Sequence, residues 1–81
     1  MASSLSFSGG EKKTITETFT KTNYYPLCVA GFRSSSQFTC FNTVRLSAYS
    51  EGSATITMDI KNLNDSNASM NIYSYILWMK I

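Results

Sequence analysis

Polar and apolar residues alternate with a period of two along most of the chain, and that alternation predicts strands. Over residues 53–62, SATITMDIKN, Ala54, Ile56, Met58 and Ile60 fall on one face and Ser53, Thr55, Thr57, Asp59 and Lys61 on the other. This is the pattern of a sheet with one face buried and one in water. Residues 37–50, QFTCFNTVRLSAYS, divide into one set with Phe38, Cys40, Val44, Leu46 and Ala48 and another with Thr39, Phe41, Thr43, Arg45, Ser47 and Tyr49. Phe41 and Tyr49 are therefore expected to meet a second layer or a neighbouring subunit. Gly52, in the SEGS between the two runs, predicts a hairpin that pairs them antiparallel.

The run YYPLCVAGFR at 24–33 is apolar on both faces, and Pro26 keeps its start out of a central ladder position. Residues 11–22 carry Ile15 and Phe19 among threonines and charges, which suits an edge strand or a long solvent-facing one, protected by lysines. Residues 1–10 read as a flexible N-terminal segment in which Leu5 and Phe7 can form a short strand, and 11–81 as a single domain. The closing run MNIYSYILWMKI, residues 70–81, places Tyr73, Tyr75, Leu77, Met79 and Ile81 on one face and Ile72, Ile76 and Trp78 on the other. A strand apolar on both sides must lie inside a sandwich or at a subunit contact. The expected fold is all-β: a small antiparallel β-sandwich, jelly-roll-like, of about five to six strands.

Length sharpens this expectation, because an 81-residue chain hides only about 60% of its unfolded surface when it folds alone. Disulfides, metals or oligomerisation commonly make up the deficit. There is no His and there are only two Cys, too few for a closed structural zinc site. Cys28 and Cys40 are either bridged across paired strands or two buried free thiols, and the second reading is adopted. The start of the chain lacks an apolar signal core and no run is long enough for a membrane span, so neither export by a signal peptide nor membrane insertion is expected. Accordingly the NDS and NAS triplets at Asn64 and Asn67 are read as chance matches to the glycosylation pattern.

Net charge is +2 with 15% charged residues, which leaves no clustered basic patch for nucleic acid or anionic lipid. Aromatics interleaved with Arg33 and Arg45 would suit a stacking surface for single strands, but serve more economically as core. Without His, the commonest general base and the usual triads are missing, and the five acids, Glu11, Glu17, Glu51, Asp59 and Asp65, fall mostly on exposed strand or turn positions. No enzyme, metal or cofactor is expected. The Asn/Ser-rich stretch 62–71 has the amide density of a sugar or calcium contact, and also that of a loop satisfying its own backbone through Asx-turns.

Taken together, YYPLCVAGF and NTVRLSAYSEGSATITMDIKNLNDSNASMNIYSYILWMKI resemble the C-terminal head domains of bacteriophage tail fibres and related receptor-binding proteins, over roughly residues 20–81. The resemblance implies a homotrimeric sandwich that binds a host cell-surface glycan or protein, or other virion proteins, in a particle made in the host cytoplasm. It also implies that the closing strand is central to the trimer. Since such heads cap a stalk, a chain opening on its own Met would be an excised domain or a free-standing virion protein. The H-type lectins are a second, more distant resemblance and imply sugar binding. On this reading the ligand contacts are Asn62, Asn64, Asp65 and Asn67, supplemented by Arg33 and Tyr49, and the subunit contact takes Tyr73, Tyr75, Leu77, Trp78, Met79, Ile81 and Phe41. A capsid-decorating or tail structural subunit and a small nucleic-acid-binding barrel are the alternatives.

Overall fold

The computed structural model describes residues 2–81. Among them there are six strands and no helix: β1 (Ala2–Phe7), β2 (Lys12–Thr20), β3 (Tyr24–Ser34), β4 (Thr39–Ser50), β5 (Ser53–Asn62) and β6 (Ala68–Lys80). They form two antiparallel sheets of three strands, β1-β6-β3 (sheet A) and β2-β5-β4 (sheet B). The chain is thus an antiparallel β-sandwich. Thirteen residues of β6 rise about 43 Å at strand pitch, which accounts for the longest dimension of a 46 × 18 × 15 Å body.

A three-stranded sheet has one interior strand, so β5 and β6 carry most of the core. Ala54, Ile56, Met58 and Ile60 of β5 and Met70 and Ile72 of β6 are buried, joined by Phe7 of β1. Leu5, Ile15, Phe19, Val29, Phe41, Val44 and Leu46 close around them from the flanking strands, joined by Ile76 of β6 itself. The segment expected to be a flexible lead-in therefore supplies β1, which pairs Ala2 through Phe7 with Tyr73 back to Ala68. Phe7, 2% exposed, anchors it by burying an aromatic ring.

The β4–β5 hairpin forms as the sequence predicts, with Gly52 at φ 77°, a left-handed conformation that costs glycine least. Within β4, however, the alternation does not run unbroken. Bulges between Phe41 and Thr43 and between Leu46 and Ala48 each insert an unpaired residue. Since one extra residue exchanges the two faces of a strand, Phe41, Val44 and Leu46 end on the inner side, opposite Ile60, Met58 and Ile56. Phe41 accordingly packs on the core and against Phe32, ring centroids 4.8 Å apart, and not toward a neighbouring subunit.

Two further expectations are corrected by topology. Strands β3 and β4 lie in opposite sheets, and Cys28 and Cys40 are free thiols as expected, but Cys28 is exposed and Cys40 half-buried where burial was expected. Strand β2 is an edge strand, but its register turns Ile15, Glu17 and Phe19 inward against Met58, Ile56 and Ala54. Glu17 is 6% exposed and accepts a hydrogen bond at Oε2 from Ser74 Oγ, 3.1 Å. Both are polar groups inside the sandwich, and burial requires such partners.

The facing of β5 and β6 makes a direct expectation. Ile56→Ala should cost about 2–5 kcal/mol in urea denaturation, while Lys61→Ala, exposed on the same strand, should change stability by less than about 0.5 kcal/mol. Equal losses would contradict the assigned faces.

Candidate functional site

Three segments meet at one end of the sandwich: residues 8–11, 35–38 and 63–67. Gly10 N donates to Asn64 O at 3.0 Å, Asn62 N to Glu11 O at 2.9 Å and Leu63 N to Phe38 O at 2.8 Å. The opposite end is tied by Lys21 N to Gly52 O at 3.0 Å, Gly52 N to Tyr24 O at 2.8 Å and Ile81 N to Asn23 O at 3.1 Å.

At the first end Asn62 is the organising side chain. It is fully buried; its Nδ2 donates to Ser8 O at 3.1 Å and Ser66 O at 3.0 Å, and its Oδ1 accepts from Asn64 N at 3.0 Å. Asn64 Oδ1 then accepts from Ser66 N at 3.2 Å, an Asx-turn. Asn62 is therefore a brace for the loop and not a solvent-facing contact. The loop itself is shorter than 62–71, because β6 begins at Ala68. What remains outward is the half-buried Asn64 and the exposed Leu63, Asp65, Ser66 and Asn67, beside a shallow depression lined by Ser6, Phe7, Asn67, Ala68 and Ser69.

The serines around 34–36 are used in the same way. Ser36 N donates to Ser34 Oγ at 3.1 Å, Thr39 Oγ1 to Ser34 Oγ at 2.6 Å, and Asn71 N to Ser35 Oγ at 2.9 Å while Ser35 N donates to Asn71 O at 2.9 Å. Much of the polar density read as a ligand surface thus holds the loops to one another.

Arg33 and Tyr49 do not join this loop. Tyr49 lies next to the other end, opposite Ala54 in the β4–β5 ladder, 62% exposed and edge-on to Tyr25 at 6.4 Å. Arg33 lies on the outer face of sheet A, opposite Tyr73 in the β3–β6 ladder. Its guanidinium sits 4.0 Å over the Tyr73 ring. Its pKa is raised above the ordinary arginine value, chiefly by the Tyr75 hydroxyl as hydrogen-bond acceptor and neighbouring charge and least by Tyr73, with burial opposing.

That outer face is the second candidate surface. Alternation along β6 points Tyr73, Tyr75, Leu77 and Met79 outward and Ile72, Ser74, Ile76 and Trp78 inward. Trp78, half-buried and opposite the buried Pro26, belongs with its own sandwich. Tyr75, Leu77, Met79 and Ile81 are 43%, 50%, 51% and 63% exposed, a contiguous apolar file of the kind that marks interaction sites. The pairing of Arg33 with Tyr73 and Tyr75 was not legible in the sequence, since it depends on the register between β3 and β6 across two bulges.

Comparison of the chain with protein-family models, curated proteins and solved structures gave no match. The functional reading therefore rests on the two surfaces themselves.

The loop end yields a test of its construction. A Cβ on Gly9 would lie 2.0 Å from the backbone oxygen of Asp65, so Gly9→Ala should cost about 1–3 kcal/mol by overpacking and shift the amide resonances of residues 64–66. The resonances around Gly52, at the far end, should stay in place; a variant with unchanged stability and an unchanged loop would refute the close approach.

Proposed function

We propose that the chain is a non-enzymatic binding and structural module that assembles with copies of itself, as a trimeric receptor-binding head of a phage-like particle does. The observation that carries this reading is the second half of β6. Its outward apolar side chains are uncovered from Tyr75 to Ile81. Along the same stretch the strand has a described ladder partner on one side only, because β1 pairs with nothing beyond Tyr73. An uncovered apolar face of this kind marks a site of association. Covering each of these half-exposed side chains contributes about 1 kcal/mol.

The shape of the apolar surface favours three copies over two. The file narrows toward the loop end: its outward neighbours on β3 are Tyr25, opposite Met79, then Cys28, opposite Leu77, and Gly31, opposite Tyr75. Three such files can converge on a three-fold axis where Cys28 and Gly31 leave room beside Leu77 and Tyr75, whereas two flat sheets packed face to face need apolar residues across their whole width. Tyr73, already half-covered by Arg33, stands at the margin of this contact. In that setting the ligand is a host cell-surface glycan or protein, met by the loop end and its neighbouring face.

A second reading, a capsid-decorating or tail structural subunit, is favoured by the loop end, where Asn62, Asn64, Ser34 and Ser35 are committed to internal hydrogen bonds. It uses the same assembly surface and differs in having no small ligand.

Light scattering over a range of concentrations tests the shared element. The wild type is expected at the mass of three chains, with Cys28 protected from thiol reagents. Leu77→Lys, which places like charges together at the axis, should give a folded monomer with a reactive Cys28. A wild type that stays monomeric at every concentration would overturn the reading.

A further inference from the structure

The outer face of sheet A carries an uncompensated positive charge. Of the five acids, Glu17 points into the sandwich and Asp59 lies on sheet B, where it accepts from Thr14 Oγ1 at 2.6 Å. Glu11 and Asp65 belong to the loop end and Glu51 to the β4–β5 turn at the other. None stands on the face that holds Arg33.

Arg33 is also pre-oriented. Its guanidinium carbon lies 4.0 Å over the Tyr73 ring, and Tyr75 stands two positions along β6 on the same outward face. A guanidinium has five N–H donors in a rigid fork, so this arrangement fixes the fork and leaves donors for a planar anion, held by two parallel bonds. Around it the surface is hydroxyl- and amide-bearing. Asn71 and Ser4, both exposed, face each other across the β1–β6 ladder two positions from Tyr73, and Tyr75 offers a ring 43% exposed. Neutral donors and acceptors beside an aromatic surface suit the hydroxyls and the apolar face of a sugar ring better than they suit a bare ion.

We infer that Arg33, Tyr73 and Tyr75, with Asn71 and Ser4 beside them, form a binding site for a carboxylate-bearing sugar. The inference rests on the reading of the chain as a binding module and adds the class of ligand. Arg33 takes the carboxylate, Tyr73 and Tyr75 hold the guanidinium and supply ring surface, and Asn71 and Ser4 meet the hydroxyls. The site meets the apolar file at Tyr75, which belongs to both; copies that cover Leu77, Met79 and Ile81 leave Arg33, Tyr73, Asn71 and Ser4 open.

The test is a titration of the isotope-labelled full chain, followed by amide shifts, with four probes: N-acetylneuraminic acid, glucuronic acid, galactose and acetate. At least one acidic sugar is expected to shift the amides of Arg33, Asn71, Tyr73 and Tyr75 and to bind at least tenfold more tightly than galactose or acetate. Arg33→Lys keeps the charge but loses the fork, and should weaken acidic-sugar binding at least tenfold; Arg33 is exposed, so the fold should be unaffected. The inference is overturned if no acidic sugar shifts these amides, if galactose or acetate binds as tightly, or if Arg33→Lys binds like the wild type. Native mass, measured on the same samples, separates the two claims. A trimer that ignores acidic sugars sinks the site and leaves the assembly, and a monomer that binds them does the reverse.

Discussion

The structure depends on two strands packing face to face. Each sheet is three strands wide, so only β5 and β6 have neighbours on both sides, and Ile56, Met58 and Ile60 must meet Met70 and Ile72 if the molecule is to have a dry interior. Everything else is edge. Four of the six strands face solvent along one side, and in a chain this short the core contributed by two strands and a few flanking residues leaves a narrow stability margin. The long axis, the two looped ends and the exposed outer faces follow from stretching so small a core along two long strands.

That economy explains the irregularities. The paired bulges in β3 and in β4 fall on the two edge strands along the same side of the sandwich. There they let strands of mixed sequence keep their apolar residues on the core side, because each inserted residue re-aims those that follow. Phe41 shows the effect: simple alternation sets it apart from Val44 and Leu46, and the bulge after it returns it to them. At the looped end, the limited core is supplemented by side-chain to backbone hydrogen bonds. Asn62, buried and bonded to two chain segments, serves there as a substitute for apolar packing.

How far the sequence revealed this differs from element to element. Strand β5 was legible in full, because Ala54 to Ile60 alternate without interruption and the strand has no bulge on its own side. So were the Gly52 hairpin and the sidedness of β6. Three features resisted reading for physical reasons. Bulges leave no simple mark in the polar pattern, so the faces of β4 came out mixed. Glu17 sits between Ile15 and Phe19 on one face, and its charge masked an alternation that otherwise points inward. The loop amides were ambiguous because a side chain that binds a ligand and one that braces its own backbone are the same residue types, and only the position of Asn62 beneath the loop distinguishes them. For the candidate site, Arg33 was visible as a residue but not as a neighbour of Tyr73 and Tyr75, since that contact spans some forty positions of sequence.

Strand β6 joins fold to function. Its inward residues, Met70 and Ile72, complete the core, while its outward residues from Tyr75 onward remain uncovered. A strand with one side spent on folding and the other apolar and open couples the two processes energetically: whatever covers the outer face stabilises the native chain by mass action, because the unfolded chain presents no such file. For a small sandwich with a thin margin this coupling is substantial. It also sets a limit on the surface, since a charge placed among Leu77, Met79 and Ile81 would remove whatever a covering partner contributes while leaving the inward contacts intact. Among the described residues Arg33 is the charged group on this face, and it stands outside the file and against Tyr73. The face is thereby divided between an apolar half and a polar half.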